Sequence, residues 1–173
     1  MSNNSKSRVP TLGGEELYIP FVGAIIERTV GGKTQIVVQT RKKAHESKYN
    51  DVIEIPGGKF RAFENIYDTL KREVKEETGL NLTNIKDRDK TITHTNRQDH
   101  SEIVYPYCVT QMKEGPFIGM IFLCEAEGNL AIKTNESKDI RWADISEVKD
   151  IVKKTPESIY TAFLAPLKLY LNI

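Results

Sequence analysis

The sequence predicts an α/β fold built as a single domain. Apolar, β-branched stretches recur along the 173 residues, as expected of strands. Two segments, 65–78 and the stretch that begins at Pro156, instead space their apolar residues as helices do. A chain of this length can bury one sizeable core, and neither an internal repeat nor a linker divides it. We therefore expect residues 1–16 to form a flexible N-terminal tail and residues 17–173 to form one domain.

The strands are predicted from apolar runs, and their limits from glycine and proline. Residues 19–28 and 34–41 are expected to form a hairpin around the turn at Gly31 and Gly32. A short strand over 51–55 should stop at Pro56, because proline has no backbone N–H to donate. Further strands are expected over 80–87, 101–110, 116–126 and, as a short one, 129–133.

Three helices are predicted. Asn65 is a suitable cap for the first helix, and Gly79 is a natural terminator. Apolar spacing indicates a second helix over 144–152. The last segment should carry Pro156 in its first turn, and Pro166 should kink or split it, since an interior proline loses a hydrogen bond.

The first helix places three glutamates in a band beside its apolar arc. With about 100° per residue, Glu73, Glu76 and Glu77 lie next to the arc formed by residues such as Leu70 and Val74. At spacings of three and four residues their side chains converge, and the like charges repel one another. Clustered carboxylate oxygens are what a hard divalent cation prefers. The band therefore predicts a magnesium site.

A solvated acidic face is the competing interpretation. The stretch EVKEE alone would favour it, because such runs are common on exposed helices. The preceding segment reverses that preference. Gly57 and Gly58 follow a strand and lead towards the helix, and such a loop lets backbone groups approach a ligand closely.

The segment 58–80 resembles the signature of the Nudix hydrolase family. That signature consists of Gly, five residues, Glu, seven residues, and then Arg-Glu-apolar-any-Glu-Glu-any-Gly-apolar. The chain supplies each specified position, namely Gly58, Glu64, Arg72, Glu73, Val74, Glu76, Glu77, Gly79 and Leu80. The later stretch DIRWADISEV also resembles the strand-to-helix junction of the family. Below, residues 58–80 are called the box.

The resemblance implies a Nudix-type α/β/α sandwich with a mixed β-sheet. It also implies a Nudix-family pyrophosphohydrolase that uses Mg²⁺ or Mn²⁺ to cleave a diphosphate linkage in a nucleoside diphosphate derivative. A nucleotide sugar, ADP-ribose and a nucleoside triphosphate remain open as substrates. The alternative is a non-catalytic Nudix-fold module that binds a nucleotide and regulates a partner. The complete set of box glutamates favours the enzyme.

The resemblance also assigns roles to particular residues. It makes Glu73, Glu76 and Glu77 metal ligands, with the backbone carbonyl of Gly57 as a further ligand. Two more box residues are expected to assist catalysis, Glu64 from the start of the helix and Arg72 by orienting a glutamate.

A general base is needed as well, and the family takes it from the box or from a later loop. Glu136, just before the DIRW stretch, is the candidate for the later loop; Glu125 and Glu127 are weaker candidates. Arg41, at the end of a strand, is a weak candidate for binding a terminal phosphate, although such basic runs are usually solvated loops.

The overall composition limits the partners. Lys and Arg number 25 against 24 Asp and Glu, so a net charge of +1 argues against a broad surface for nucleic acid. The polar start and the absence of a long apolar stretch argue against a signal peptide or a membrane span. Cys108 and Cys124 are expected to be buried free thiols in a reducing compartment. We expect a cytoplasmic protein with a small nucleotide as its partner, and a homodimer is compatible with the sequence.

Overall fold

The computed structural model describes residues 10–42, 49–113 and 115–173. Its strands and helices follow in the order β1 (Thr11–Leu12), β2 (Glu15–Glu16), β3 (Ile19–Val30), β4 (Lys33–Arg41), β5 (Ile53–Glu54), β6 (Gly57–Lys59), α1 (Ile66–Thr78), β7 (Asn81–Ile85), β8 (Ile92–Asn96), β9 (Asp99–Ile103), β10 (Cys108–Gln111), β11 (Phe117–Glu127), β12 (Ser137–Asp144), α2 (Ile145–Lys154) and α3 (Thr161–Leu171). Two small hairpins, β1–β2 and β8–β9, stand apart from the main sheet.

The main sheet is mixed. Its long strands lie in the order β10-β11-β3-β4-β12, and the short strands β5, β6 and β7 pair with β4, β3 and β11. The pairing of β3 with β11 is parallel, whereas the other pairings of the sheet are antiparallel. Strand β6, which carries the Gly-Gly pair, thus lies directly against the central strand β3.

The central strand β3 faces two separate cores. Phe21 and Ile25 point into the core that α2 and α3 cover, whereas Val22, Ala24 and Ile26 point into the core that α1 covers. This alternation follows from the two-residue period of a strand. Helices therefore cover both faces of a mixed sheet, which confirms the predicted α/β/α sandwich.

Both ends of α1 are as predicted. The side chain of Asn65 accepts a hydrogen bond from the backbone N–H of Tyr67 at 2.9 Å, which satisfies one of the unpaired donors of the first turn. Gly79 adopts φ = 79°, and its N–H donates to the carbonyl of Lys75. The ends of α1, and with them the positions of the box glutamates, are thereby fixed.

Two predicted strands differ in the structure. Residues 129–133 form no strand, because the N–H of Ala131 donates to the carbonyl of Thr78 at the end of α1. The predicted strand 101–110 is divided between β9 and β10, and Pro106, which lacks an N–H, lies in the break. Strand β12 leads directly into α2, as the resemblance of DIRWADISEV to a strand-to-helix junction implies.

The C-terminal segment is split, but not at the predicted place. Residues 156–158 form a separate 3₁₀ turn, and the N–H of Tyr160 then donates to the carbonyl of Ile53. Helix α3 begins only at Thr161 and continues through Pro166. The prediction that Pro166 splits the segment is therefore wrong, because the bond from Tyr160 to β5 ends the first turn earlier; the alternative, a kink at Pro166, stays a prediction.

Two further observations concern the composition-based predictions. Cys124 is buried and Cys108 is half-buried, and neither forms a disulfide. No helix in the described ranges is long and apolar enough to cross a membrane. Of the predicted tail, residues 1–9 lie outside the described residues, and residues 11–16 form the β1–β2 hairpin.

Candidate active site

A cavity of about 590 Å³ lies where β6, α1 and the loop before β12 meet. The residues that line it are Gly58, Lys59, Arg61, Glu73, Glu76, Glu77, Thr134, Asn135 and Glu136. The structure therefore brings the three box glutamates predicted as ligands together with Glu136, which is about sixty positions later in the chain. We call this the acidic cavity.

Neighbouring atoms leave little room for a side chain at Gly57 and Gly58. A Cβ on Gly57 would lie 2.2 Å from the carbonyl oxygen of Val22, and a Cβ on Gly58 would lie 2.0 Å from Oε2 of Glu73. Neither glycine has a positive φ, so their backbone conformation is open to other residues. A Cβ on Gly57 would thus meet the main chain of the central strand, whereas a Cβ on Gly58 would displace the carboxylate of Glu73.

Glu77 is the most buried of the three box glutamates, with 4% of its surface exposed. Its Oε2 accepts hydrogen bonds from the backbone N–H of Gly57 at 2.9 Å and from Nε2 of Gln39 at 2.8 Å. Two donors from two different strands thus hold one carboxylate oxygen.

Arg72 donates to two carboxylates of the box, those of Glu64 and Glu73. Its Nε and Nη2 donate to the two oxygens of Glu64 at 2.7 and 2.8 Å, and its Nη1 donates to Oε1 of Glu73. The hydroxyl of Thr69 also donates to Glu64 at 2.8 Å. The hydrogen bond from Arg72 is the main cause that lowers the pKa of Glu64 to about 2, and the same bond raises the pKa of Arg72. This forked geometry orients Glu73 towards Gly58.

Glu76 is held much less firmly. Slightly more than half of its side chain is exposed, and its nearest cations are Nη1 of Arg72 at 3.5 Å and Nη2 of Arg61 at 3.7 Å. Exposed pairs at such distances contribute little stability. The Glu76 side chain can therefore change its position at small cost.

The loop that carries Glu136 is anchored by its main chain. The hydroxyl of Thr134 accepts from the N–H groups of Glu136 and Ser137 at 3.4 and 3.1 Å, and the N–H of Thr134 donates to the carbonyl of Ser137. On the other side, the N–H of Lys42 donates to the carbonyl of Glu136 at 2.8 Å. These bonds fix the backbone of Glu136 at the wall of the acidic cavity.

Arg41 is a buried residue, not part of a solvated loop. Only 7% of its surface is exposed, and its Nη1 donates to Oε2 of Glu54 at 3.0 Å. Its guanidinium also lies 4.6 Å from the ring centroid of Tyr160. Arg41 lines a neighbouring cavity and not the acidic one, and a buried carboxylate balances its charge.

This neighbouring cavity has a volume of about 190 Å³ and a mixed lining of polar and aromatic residues, and we call it the aromatic cavity. Its walls include four aromatic side chains, namely Phe21, Phe117, Tyr160 and Phe163. Lys59 lies 5.8 Å from the ring centroid of Phe117. The aromatic cavity and the acidic cavity share Gly58, Lys59 and Glu136, so the two adjoin. The weaker candidate Glu125 instead lines a separate groove with Glu27 and Arg28.

Sequence reasoning missed several residues in and behind these cavities. Glu54, Tyr160 and Phe163 line the aromatic cavity, and Gln39 lines neither cavity but donates to Glu77 from behind the acidic one. The sequence does contain one indication of Gln39. It follows the apolar residues of the stretch IVVQTR at a position where a core residue would be expected. Nothing comparable marks Tyr160, which resembles any aromatic core residue in sequence.

The atoms expected to bind the metal ion are all carboxylate or carbonyl oxygens, which suit a hard divalent cation. In the arrangement observed, however, no three His, Cys, Asp or Glu side chains of residues 10–42, 49–113 and 115–173 lie close enough together to hold a metal ion. Glu73 is turned towards Arg72, while Glu76 extends towards solvent. Convergence on one ion therefore requires rotation of Glu73 or Glu76, and Glu76 is the less restrained.

Comparison with known proteins places this arrangement in a family. A profile of the NUDIX domain matches residues 18–163, which is most of the chain. A search of curated proteins found no match. Similar solved structures include a MutT/nudix family protein from Enterococcus faecalis (18% identity, TM-score 0.55), a NUDIX hydrolase from Nitrosomonas europaea (17%, 0.60) and the NUDIX domain of Shewanella oneidensis NrtR complexed with ADP ribose (14%, 0.61).

The extent of these matches differs. The alignment covers 78%, 91% and 91% of this chain, respectively, and 47%, 72% and 89% of the three known structures. The chain thus spans about half of the E. faecalis protein. At identities below 20%, these similarities establish the fold.

Proposed function

Since the chain belongs to the NUDIX domain family, we propose that it is a metal-dependent hydrolase that cleaves a diphosphate linkage in a nucleoside diphosphate derivative. The observation that carries this proposal is the acidic cavity, where Glu73, Glu76 and Glu77 line one space with Glu136. A regulatory binding module would not need a fourth carboxylate, from the loop before β12, in this cavity. A hydrolase can use such a carboxylate as the general base that accepts a proton from water.

The proposed metal ligands are Glu73, Glu76 and Glu77, with the carbonyl of Gly57. A bound Mg²⁺ or Mn²⁺ would supply Lewis-acid stabilisation of the negative charge on the diphosphate oxygens. Arg72 sets the orientation of Glu73, and Gly57 N–H fixes Glu77. Glu64 keeps Arg72 in place through the two bonds of its carboxylate.

Glu136 is the proposed general base. It comes from a different element than the proposed ligands, and the bonds of Thr134 and Lys42 hold its backbone at the cavity wall. Its carboxylate would take a proton from the attacking water as the water oxygen bonds to one phosphorus and the bridging P–O bond to the leaving phosphate group breaks. Lys59 and Arg61, the two cationic residues that line the acidic cavity, would bind oxygens of the diphosphate.

The aromatic cavity is the proposed site of the nucleoside. It adjoins the acidic cavity, so one ligand can place a planar ring beside Phe117 or Tyr160 and its diphosphate next to Lys59. The related NrtR domain was crystallised with ADP ribose, and another similar fold is an Ap4A hydrolase of C. elegans. The proposed partner is therefore a small nucleotide. A cytoplasmic location and a homodimer stay predictions from the sequence.

A substrate panel tests the proposal. The purified protein is incubated with Mg²⁺ or Mn²⁺ and with ADP-ribose, nucleotide sugars, dinucleoside polyphosphates and nucleoside triphosphates, and release of phosphate or monophosphate is measured. Glu76→Gln should lower turnover at least about tenfold, because a ligand charge is lost. Asp68→Asn, on the solvent side of α1, is the matched control and should turn over like the wild type.

Two results would contradict the proposal. Turnover that persists in a chelator, or that is equal in Glu76→Gln and Asp68→Asn, would exclude the proposed metal ligands. Tight nucleotide binding without turnover of any compound would instead support the regulatory binding module.

A further inference from the structure

Gln39 lies between two buried carboxylates. It is 1% exposed, while Glu54 and Glu77 on either side are 2% and 4% exposed. Its Nε2 donates to Oε2 of Glu77 at 2.8 Å and, more weakly, to Oε1 of Glu54 at 3.4 Å. Both protons of the amide nitrogen are thus directed at carboxylates.

The orientation of this amide is set by charge. A flipped amide would place its oxygen against two carboxylate oxygens, so only the observed orientation is attractive. In that orientation, Oε1 of Gln39 has no hydrogen-bond donor within the described part of the chain. A buried oxygen without a donor costs stability, and the neighbours Val37 and Val38 show that the strand accommodates apolar residues here. The geometry therefore indicates a functional use of the donor.

We infer that Gln39 is a positioning residue that fixes the carboxylate of Glu77 in the acidic cavity. Together with the N–H of Gly57, it holds Oε2 from the side of the sheet, so Glu77 keeps one rotamer when the rest of the cavity rearranges. Because Glu54 also pairs with Arg41, Gln39 lies in a continuous set of contacts between the acidic and aromatic cavities. The catalytic consequence of this inference rests on the proposed function.

The test compares two glutamines of the same strand. Gln39→Leu removes the donor to Glu77. Gln35→Leu, the control, removes a hydrogen bond of 2.7 Å from Gln35 to Asp144, and neither of these two residues lines the acidic or the aromatic cavity. Mn²⁺ affinity is measured by electron paramagnetic resonance without substrate, and kcat and KM are measured separately. Gln39→Met, which keeps an unbranched side chain, replaces the leucine variant if that variant does not fold.

Gln39→Leu should bind Mn²⁺ about 10- to 100-fold more weakly and lose kcat by a similar factor, with KM changed less than about threefold. Gln35→Leu should change neither quantity. The inference is overturned if Gln39→Leu binds Mn²⁺ like the wild type, if both variants lose affinity equally, or if the wild type binds no Mn²⁺. If the wild type binds Mn²⁺ but cleaves no compound of the panel, the proposed function fails, and the difference in Mn²⁺ affinity still decides the role of Gln39.

Discussion

Replacing Gly58 and Gly57 singly with alanine separates the geometry of the cavity from the stability of the sheet. In Gly58→Ala, the new Cβ would lie 2.0 Å from Oε2 of Glu73, whereas ordinary contact begins at 3.4 Å. The carboxylate must therefore retreat by about 1.4 Å, and it can do so because it ends a flexible side chain. A displacement of about 1 Å at a reacting centre can cost about 100-fold in rate.

In Gly57→Ala, the new Cβ meets the main chain instead. It would lie 2.2 Å from the carbonyl oxygen of Val22 in the central strand β3, and this oxygen cannot move without the strand. Overpacking of this kind typically costs about 1–3 kcal/mol. For a domain of this size, each kcal/mol corresponds to about 2–4 °C, so Tm should fall by about 2–12 °C.

Two quantities are measured for each variant. Tm is obtained from thermal unfolding followed by circular dichroism, and kcat is measured on the substrate that the panel identifies. We expect Gly58→Ala to lose about 100-fold in kcat with a Tm within about 2 °C of the wild type. A Gly58→Ala variant with kcat within twofold of the wild type would refute the reasoning, because Glu73 would then not depend on the missing Cβ. An unchanged Tm in Gly57→Ala would refute the steric account of β6.

Three further predictions concern the turn before α1 and its first residues. The hydrogen bond from Arg72 lowers the pKa of Glu64 from 4.5 to about 2. The ionised carboxylate therefore stabilises the fold fully above pH 4.5, and this contribution is lost as the pH falls towards 2. In Glu64→Gln, which lacks the titrating group, Tm should fall less steeply between these two pH values. Phe63→Gly should raise the free energy of unfolding by about 1 kcal/mol in a urea titration, because Phe63 has φ = 65° and a fully exposed ring; no change would show that this conformation is unstrained. Asn65→Ala should lower the same quantity by about 1 kcal/mol through loss of the cap, and an equal loss in Asn65→Asp, which keeps an acceptor, would argue against the cap.

Local patterns in the sequence predicted much of this molecule. At about 100° per residue from Ile66, Glu77 falls near +20°, close to Leu70 at about +40°, whereas Glu76 falls near −80°. The structure accordingly shows Glu77 buried and Glu76 about half exposed. The caps at Asn65 and Gly79 were likewise readable, because a cap depends on a few adjacent residues.

Contacts between distant segments could not be predicted in this way. Gln39 and Glu54 form a buried polar set only because β4 pairs with β5 and packs near α1. Tyr160 reaches Arg41 because its N–H is bonded to β5, which also explains why the last helix starts late. The residue types alone do not predict which of these side chains meet, because the contacts depend on the register in which the strands pair.

The parallel pairing of β3 with β11 determines how late in folding the candidate active site can assemble. Its register joins Ile19 to Phe117 and Ile26 to Cys124, residues roughly a hundred positions apart in sequence. Contacts of such long range close slowly, because the entropy of a large loop is lost before any contact is gained. Helix α1 can form early from its local signals, but Glu136 and Tyr160 follow β11 and join the cavity walls only after the sheet has closed. Ligand binding should therefore be among the last properties that the refolding chain recovers.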